Sequence, residues 1–293
     1  MHLNKNLFIL HITVFIWGFT AILGQLISIA ALELVWYRML IACISLLIYH
    51  IWTKKSLKIG QKDLGKLIGI GGIVALHWFF FYHSIKTSTI SVALVCLSSS
   101  ALFTSLLSPF YTKLKTSALD LIIGLVIIVG IILIFHFETN YTLGIIYGLL
   151  ASLMASIFTI LNEKAVKKIE AASISFYEML GGLAFLSAYM SLNPSAEHFQ
   201  MQLSNSDLFY LIILGTVCTA IAYVLGVAVM KELSAYTVVL TTNLEPLYGI
   251  VLAYLIFGSK ELMSTGFYQG AALILLAVFS YPLIKSKLEA NKK

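Results

Sequence analysis

Apolar runs of about twenty residues recur along this chain, separated by short polar breaks. A helix rises about 1.5 Å per residue, so about 20 residues cross roughly 30 Å of hydrocarbon. No other feature restricts the possible folds so strongly. Ten candidate spans lie near 7–27, 33–52, 66–85, 90–111, 119–137, 142–161, 173–192, 207–230, 235–257 and 263–284. The fold expected is an all-α polytopic membrane protein. Only 11% of the 293 residues are charged, against about 25% in soluble domains. That is too little polar surface to coat a soluble core. The short connections leave no room for a soluble module. The first apolar run, Leu7 to about Ile27, exceeds the roughly 7–15 residues of a signal-peptide core and reads as a retained span.

The basic residues set the expected orientation. Ten spans put both termini on one side of the membrane. With the N-terminus in the cytoplasm, 16 of the 18 lysines fall inside; only Lys86 and Lys260 fall outside. Among the inside lysines are Lys113, Lys115, Lys285, Lys287, Lys292 and Lys293. That asymmetry is the positive-inside pattern, so the expected location is the cell (inner) membrane with both termini cytoplasmic. The formal net charge of +6 is topological, and no basic soluble module offers a nucleic-acid surface. Cys43, Cys96 and Cys218 sit in apolar runs without a CxxC pair and read as small buried hydrophobes.

The two halves resemble each other. Ala31 to Leu40, with Tyr37-Arg38-Met39-Leu40, matches Ala171 to Leu180, with Tyr177-Glu178-Met179-Leu180. Ile85-Lys86 matches Met230-Lys231, and Gly124 matches Gly270. Five spans per half make the second half enter from the opposite face. The expected organisation is an inverted repeat, residues 1–138 and 139–293, as in secondary transporters. With Trp17-Gly18, Tyr37-Arg38-Met39-Leu40 and Asn243-Leu244-Glu245-Pro246-Leu247-Tyr248, the chain resembles an EamA-type permease of the drug/metabolite transporter superfamily. The resemblance runs from about residue 7 to 284. It implies movement of small metabolites, amino acids among them, often outward. One departure stands out. Ala101 stands where the fourth span commonly has proline, and Pro109 comes later in that span.

Charged groups inside a span are costly and mark candidate function. Glu245 falls near the middle of the ninth span. Pro246 has no N–H for the Thr242 carbonyl, so a helix kink is expected there. Helical spacing puts Thr241, Thr242, Tyr248 and Gly249 beside Glu245 as one polar stripe. Glu245 is either a substrate or proton-carrying group, or a structural kink residue. Arg38, the only arginine, lies about five residues, roughly 8 Å, below the outer end of the second span. It can bind a substrate carboxylate, pair with a buried acid or snorkel outward. Its repeat mate Glu178 makes the two a candidate gating pair. His77 and Phe81 suggest an aromatic substrate wall, or simply tight packing. Trp17, Ser98 and Tyr223 are further lining candidates against a packing alternative. Pro109 is a second candidate kink. His77 and His83 are about 120° apart on their helix, poor joint metal ligands.

The sequence carries no Walker motif, HExxH or GxSxG, so an enzyme is not expected and no cofactor is implied. The expected function is a secondary transporter working by alternating access, with protons a candidate coupling ion. A channel or structural membrane subunit is the rival reading.

Overall fold

A computed structural model describes residues 5–111, 118–193 and 203–290. Lys113, Lys115, Lys292 and Lys293 lie outside the described residues, as do the side chains of Lys285 and Lys287. All regular structure among the described residues is helical. The helices are α1 (Lys5–Leu26), α2 (Ala31–Thr53), α3 (Gln61–Thr87), α4 (Ile90–Leu97), α5 (Ser100–Tyr111), α6 (Ala118–Phe137) and α7 (Thr142–Ala165). They continue with α8 (Ala171–Leu192), α9 (Asn205–Gly215), α10 (Ala222–Val229), α11 (Ala235–Thr242), α12 (Glu245–Phe257) and α13 (Thr265–Ala290). Among the described residues, eight segments are long and apolar enough to cross a membrane, and Ile122–Phe137 and Thr265–Tyr281 are shorter apolar helices.

The distribution of side chains is that of a protein solvated by lipid. Trp52, Phe110 and Leu192 are 84%, 83% and 81% exposed. Arg38, His77, Glu178, Asn162 and Glu245 are buried. In water, exposed apolar patches of this extent would drive aggregation, and buried polar groups would need partners. The chain therefore belongs to the class of multi-pass helical membrane proteins.

Helices associate here without a hydrophobic drive against lipid, so close backbone approach matters. α3 packs along both α7 and α8. A Cβ on Gly71 would stand 2.1 Å from the Glu178 carbonyl oxygen and 2.8 Å from the Gly182 nitrogen. α6 packs along α13 with Gly130 and Gly270 facing each other, a Cβ on either falling within 2.8 Å of the other's carbonyl oxygen. Buried acids tie helix ends together. Glu261 accepts from the Ile90 and Ser91 backbone N–H groups at the start of α4. Glu138 accepts from the Ser264 N–H and hydroxyl, just before α13. Asp207 accepts from the Ser28 N–H and hydroxyl, both at 2.7 Å.

Three irregularities interrupt the membrane-length segments. α4 stops at Leu97 and α5 starts at Ser100; α11 stops at Thr242 and α12 starts at Glu245. Between α9 and α10 the chain makes a π-helical turn, Thr216–Ile221. Proline makes the second break, because Pro246 sits in the first turn of α12. Serines make the first. The Ser99 hydroxyl donates back to the Cys96 carbonyl at 2.7 Å, and Ser156 of α7 donates to the Ser100 carbonyl at 2.9 Å. Such back-bonding competes with the helical ladder and bends it. Pro109 lies inside α5, well past this break.

Gly71→Ala is expected to destabilise the protein by about 1–3 kcal/mol through overpacking of α3 on α8. Gly69→Ala, where a Cβ meets nothing within 4 Å, should leave the unfolding temperature in detergent unchanged or raised. Equal losses in both variants would contradict the close-approach account.

Candidate functional site

The helix breaks border one cavity. Its walls come from α1, α2, α3, the α4–α5 break, α7, α10, α11 and the start of α12. Counted as the space the centre of a water molecule can occupy, its volume is about 100 Å³. On that measure one water needs about 10–15 Å³, so there is room for a small metabolite.

Arg38 and Glu245 both line it, at 2% and 4% exposure. Arg38 is held from three sides. Its Nε donates to the Thr219 hydroxyl at 2.7 Å, and Nη1 donates to the Tyr82 hydroxyl at 2.7 Å. Its guanidinium carbon lies 3.8 Å from the centre of the Trp78 ring. This is a cation–π contact in a desolvated setting, the kind worth about 2 kcal/mol. Thr219 belongs to the π-helical turn, which places its hydroxyl on Arg38 while it donates to the Leu214 carbonyl. Tyr82 is fully buried against α1, where only a glycine fits. A Cβ on Gly24 would fall 2.2 Å from the Tyr82 ring. The cradle leaves Nη2 of Arg38 without a hydrogen bond among the described residues.

Glu245 makes no hydrogen bond among the described residues, and neither it nor Arg38 joins an ion pair there. A basic and an acidic side chain thus share one enclosure without pairing. Buried ionisable groups left without partners are costly, which marks the place as one built for something other than packing.

The remaining walls orient polar atoms among aromatic faces. His77 Nδ1 lies 2.8 Å from the Ala151 carbonyl oxygen. A carbonyl only accepts, so that nitrogen carries the proton and Nε2 is left as an acceptor. The His77 ring stacks on Phe81 at 6.2 Å and meets Phe158 edge-on at 5.3 Å. Trp17 is pressed close to Gly226 of α10. Tyr223 meets Trp78 at 6.0 Å and donates to Glu178 at 2.7 Å.

Of the residues singled out from sequence, Glu245, Thr242, His77, Phe81, Trp17, Tyr223 and Arg38 line this cavity. Four lie elsewhere. Tyr248 is on the outer face, edge-on to the exposed Phe15 ring. Thr241 donates to its own helix at the Thr237 carbonyl. Ser98 is fully buried beneath the α4–α5 break. Glu178 sits behind Tyr223, not facing Arg38. Of the expected stripe, Thr242 and Glu245 line the cavity, whereas Thr241 and Tyr248 do not. Trp78, Tyr82, Thr219 and Asn162 were missed. Neutral groups inside apolar runs carry little signal until a charge is found beside them.

Comparison with known proteins gives the family. The chain matches the EamA-like transporter family twice in succession, over residues 4–136 and 142–281. It is 23% identical over 215 residues to an uncharacterized transporter of Clostridium kluyveri, covering 70% of this chain and 68% of that protein. It is 21% identical over 265 residues to an uncharacterized transporter of Archaeoglobus fulgidus, covering 88% of this chain and 91% of that one. A solved protein crystal structure has the same fold, with a TM-score of 0.71 at 15% identity over 96% of this chain and 98% of its own. The chain belongs to the EamA-like transporter family; it is a multi-pass membrane transporter.

Thr219→Val removes the acceptor for Arg38 Nε and leaves a charged donor unpaired. A loss of about 1–3 kcal/mol is expected in detergent unfolding, whereas Thr219→Ser should be close to wild type. Thr219→Val at wild-type stability would show the cradle to be incidental.

Proposed function

We propose that this protein is a secondary transporter for a small zwitterionic metabolite, an amino acid or related compound, carried outward across the cell membrane by alternating access. One observation carries the reading: Arg38 and Glu245, one basic and one acidic, face the same cavity and are paired with no group of opposite sign. An α-carboxylate pairs with the free guanidinium nitrogen of Arg38 in a charge-assisted hydrogen bond. An ammonium pairs with Glu245. The His77, Phe81, Trp17 and Tyr223 faces take the apolar part of the molecule. Substrate then neutralises both charges, which lowers the cost of closing the cavity.

The proposed frame is ten spans in two inverted five-helix repeats, residues 1–138 and 139–293. Several observations support it. The family matches twice in succession. The breaks at Ser98–Ser99 and Asn243–Leu244 are 145 residues apart, the offset between the α5 start at Ser100 and the α12 start at Glu245. The cavity draws Trp17, Arg38 and His77 from the first repeat and Tyr223, Thr242 and Glu245 from the second. Rocking of helix bundles around these residues would open the site to each side in turn. The lysine asymmetry supports cytoplasmic termini. Outward movement is the direction the sequence resemblance implies.

The test is uptake of a radiolabelled amino-acid panel by purified protein in proteoliposomes. Saturable uptake that internal unlabelled substrate accelerates is the expected result; ohmic ion current without counterflow would indicate a channel instead. Arg38→Lys and Glu245→Gln should each lower transport efficiency at least about tenfold, since a charge-assisted bond is worth about 1.5–3 kcal/mol. Full activity in Glu245→Gln would remove the central carboxyl from the mechanism.

A further inference from the structure

We propose that Glu178 is the carboxyl through which this transporter couples to protons, loaded and unloaded by way of the Tyr223 hydroxyl. The inference rests on the transport reading above and assigns its coupling ion a place apart from the substrate charges.

Glu178 of α8 is fully buried, and so is Asn162 of α7. The two form a closed triad with Tyr223 of α10. Tyr223 donates to Glu178 Oε2 at 2.7 Å; Asn162 Nδ2 donates to the same oxygen at 3.2 Å and to the Tyr223 oxygen at 3.1 Å. The triad has then spent its hydroxyl hydrogen and both amide hydrogens. Two acceptors remain unsatisfied in the interior, Glu178 Oε1 and Asn162 Oδ1. A cluster with acceptors left over and no donor left calls for one more hydrogen. Buried polar atoms are otherwise nearly always paired.

The surroundings offer no positive charge in its place. Among the described residues no Lys, Arg or His nitrogen lies within 4.0 Å of the Glu178 carboxylate. The side facing it from α10 is Tyr223, and from α7 Asn162. α3 approaches the Glu178 backbone with Gly71, and α2 brings Met39 onto the adjoining Gly182. Arg38 of α2 is committed to Thr219 and Tyr82. A hard metal ion takes about six or more oxygens, and the two orphan atoms are closed to a water-sized sphere. A proton needs no such space.

Tyr223 connects this closed triad to the cavity it lines. Its hydroxyl can pass its proton to Oε2 and take another from a hydronium ion in the cavity, which leaves as water; Tyr223 is unchanged and Glu178 becomes neutral. The reverse transfer empties the site. Rocking that parts α10 from α8 would expose the triad on one side and seal it on the other. Glu245, open to the cavity, is left for the substrate.

The experiment uses the purified full chain, wild type, Glu178→Gln, Glu245→Gln and Tyr223→Phe. Infrared difference spectra between neutral and alkaline pH read the protonated carboxyl directly, without transport. A buried-carboxyl C=O band that bleaches on alkalinisation is expected in wild type, with a component that persists in Glu245→Gln and is lost in Glu178→Gln. In proteoliposomes with the radiolabelled amino-acid mixture, a pH gradient should stimulate wild-type uptake several-fold. Glu178→Gln should lose that stimulation entirely while keeping counterflow exchange. Tyr223→Phe keeps the carboxyl but lacks the relay, so it should keep the band and lose most of the stimulation. It also serves if Glu178→Gln proves unstable. The proposal is overturned by a band that is missing in wild type or undiminished in Glu178→Gln, by undiminished stimulation in Glu178→Gln, or by stimulation from a sodium gradient alone. A wild type that shows the band but transports nothing in the mixture would count against the zwitterion reading and leave Glu178 as the proton site.

Discussion

In hydrocarbon a backbone N–H or C=O has no water to bond, so a membrane helix is broken only where protein or a cavity can replace the lost partner. Much of this structure follows from that constraint. Its breaks at Ser98–Ser99 and Asn243–Leu244 open on one cavity, and its π-helical turn at Thr216–Ile221 supports that cavity's wall through Thr219 on Arg38. Each supplies something regular helix would not. The first brings Ser100 to the wall. The second starts a new helix at Glu245. The third sets Thr219 against Arg38. The irregular backbone and the polar site are one feature, each making the other affordable.

Around the cavity, charge is handled by two different means. Arg38 is stabilised by a tight cradle of two hydroxyls and an indole face, which fixes where its free nitrogen points. Glu245 has no such support and is exposed to whatever fills the space. Glu178 is a third case, hydrogen-bonded yet short of donors and sealed from the cavity by Tyr223. Three ionisable side chains thus occupy three distinct environments within a few helices. This separation lets one site hold a substrate's charge and another hold a proton without each cancelling the other.

Helix packing sets the limits within which such a site can move. Gly71 against Gly182 and Gly130 against Gly270 bring backbones close enough that no side chain fits between them. These contacts are rigid. The cavity walls, by contrast, meet through aromatic rings such as Trp78 and Tyr223, which can slide or tilt at lower cost. Each pair joins a helix from residues 1–138 to a helix from residues 139–293, so parts that move as units contain helices from both halves.

Hydropathy alone located the helices, since a bilayer demands about twenty apolar residues and every charge within a run stands out against them. Glu245, Arg38 and His77 were legible for that reason, and Pro246 marked the break beside Glu245 because its missing N–H is a local property. The serine-made break at Ser98–Ser99 left no such mark, since serine hydroxyls bend a helix only when neighbours such as Ser156 join them. Helical spacing did not place Tyr248 correctly either, since it lies on the outer face beside Phe15. Above all, sequence could not say that Arg38 and Glu245 share a cavity, or that Asn162 and Tyr223 close around Glu178. These groups are far apart along the chain, and only the packing of separate helices brings them together. Local chemistry was determined residue by residue; which charges meet, and which are kept apart, was decided by the tertiary structure.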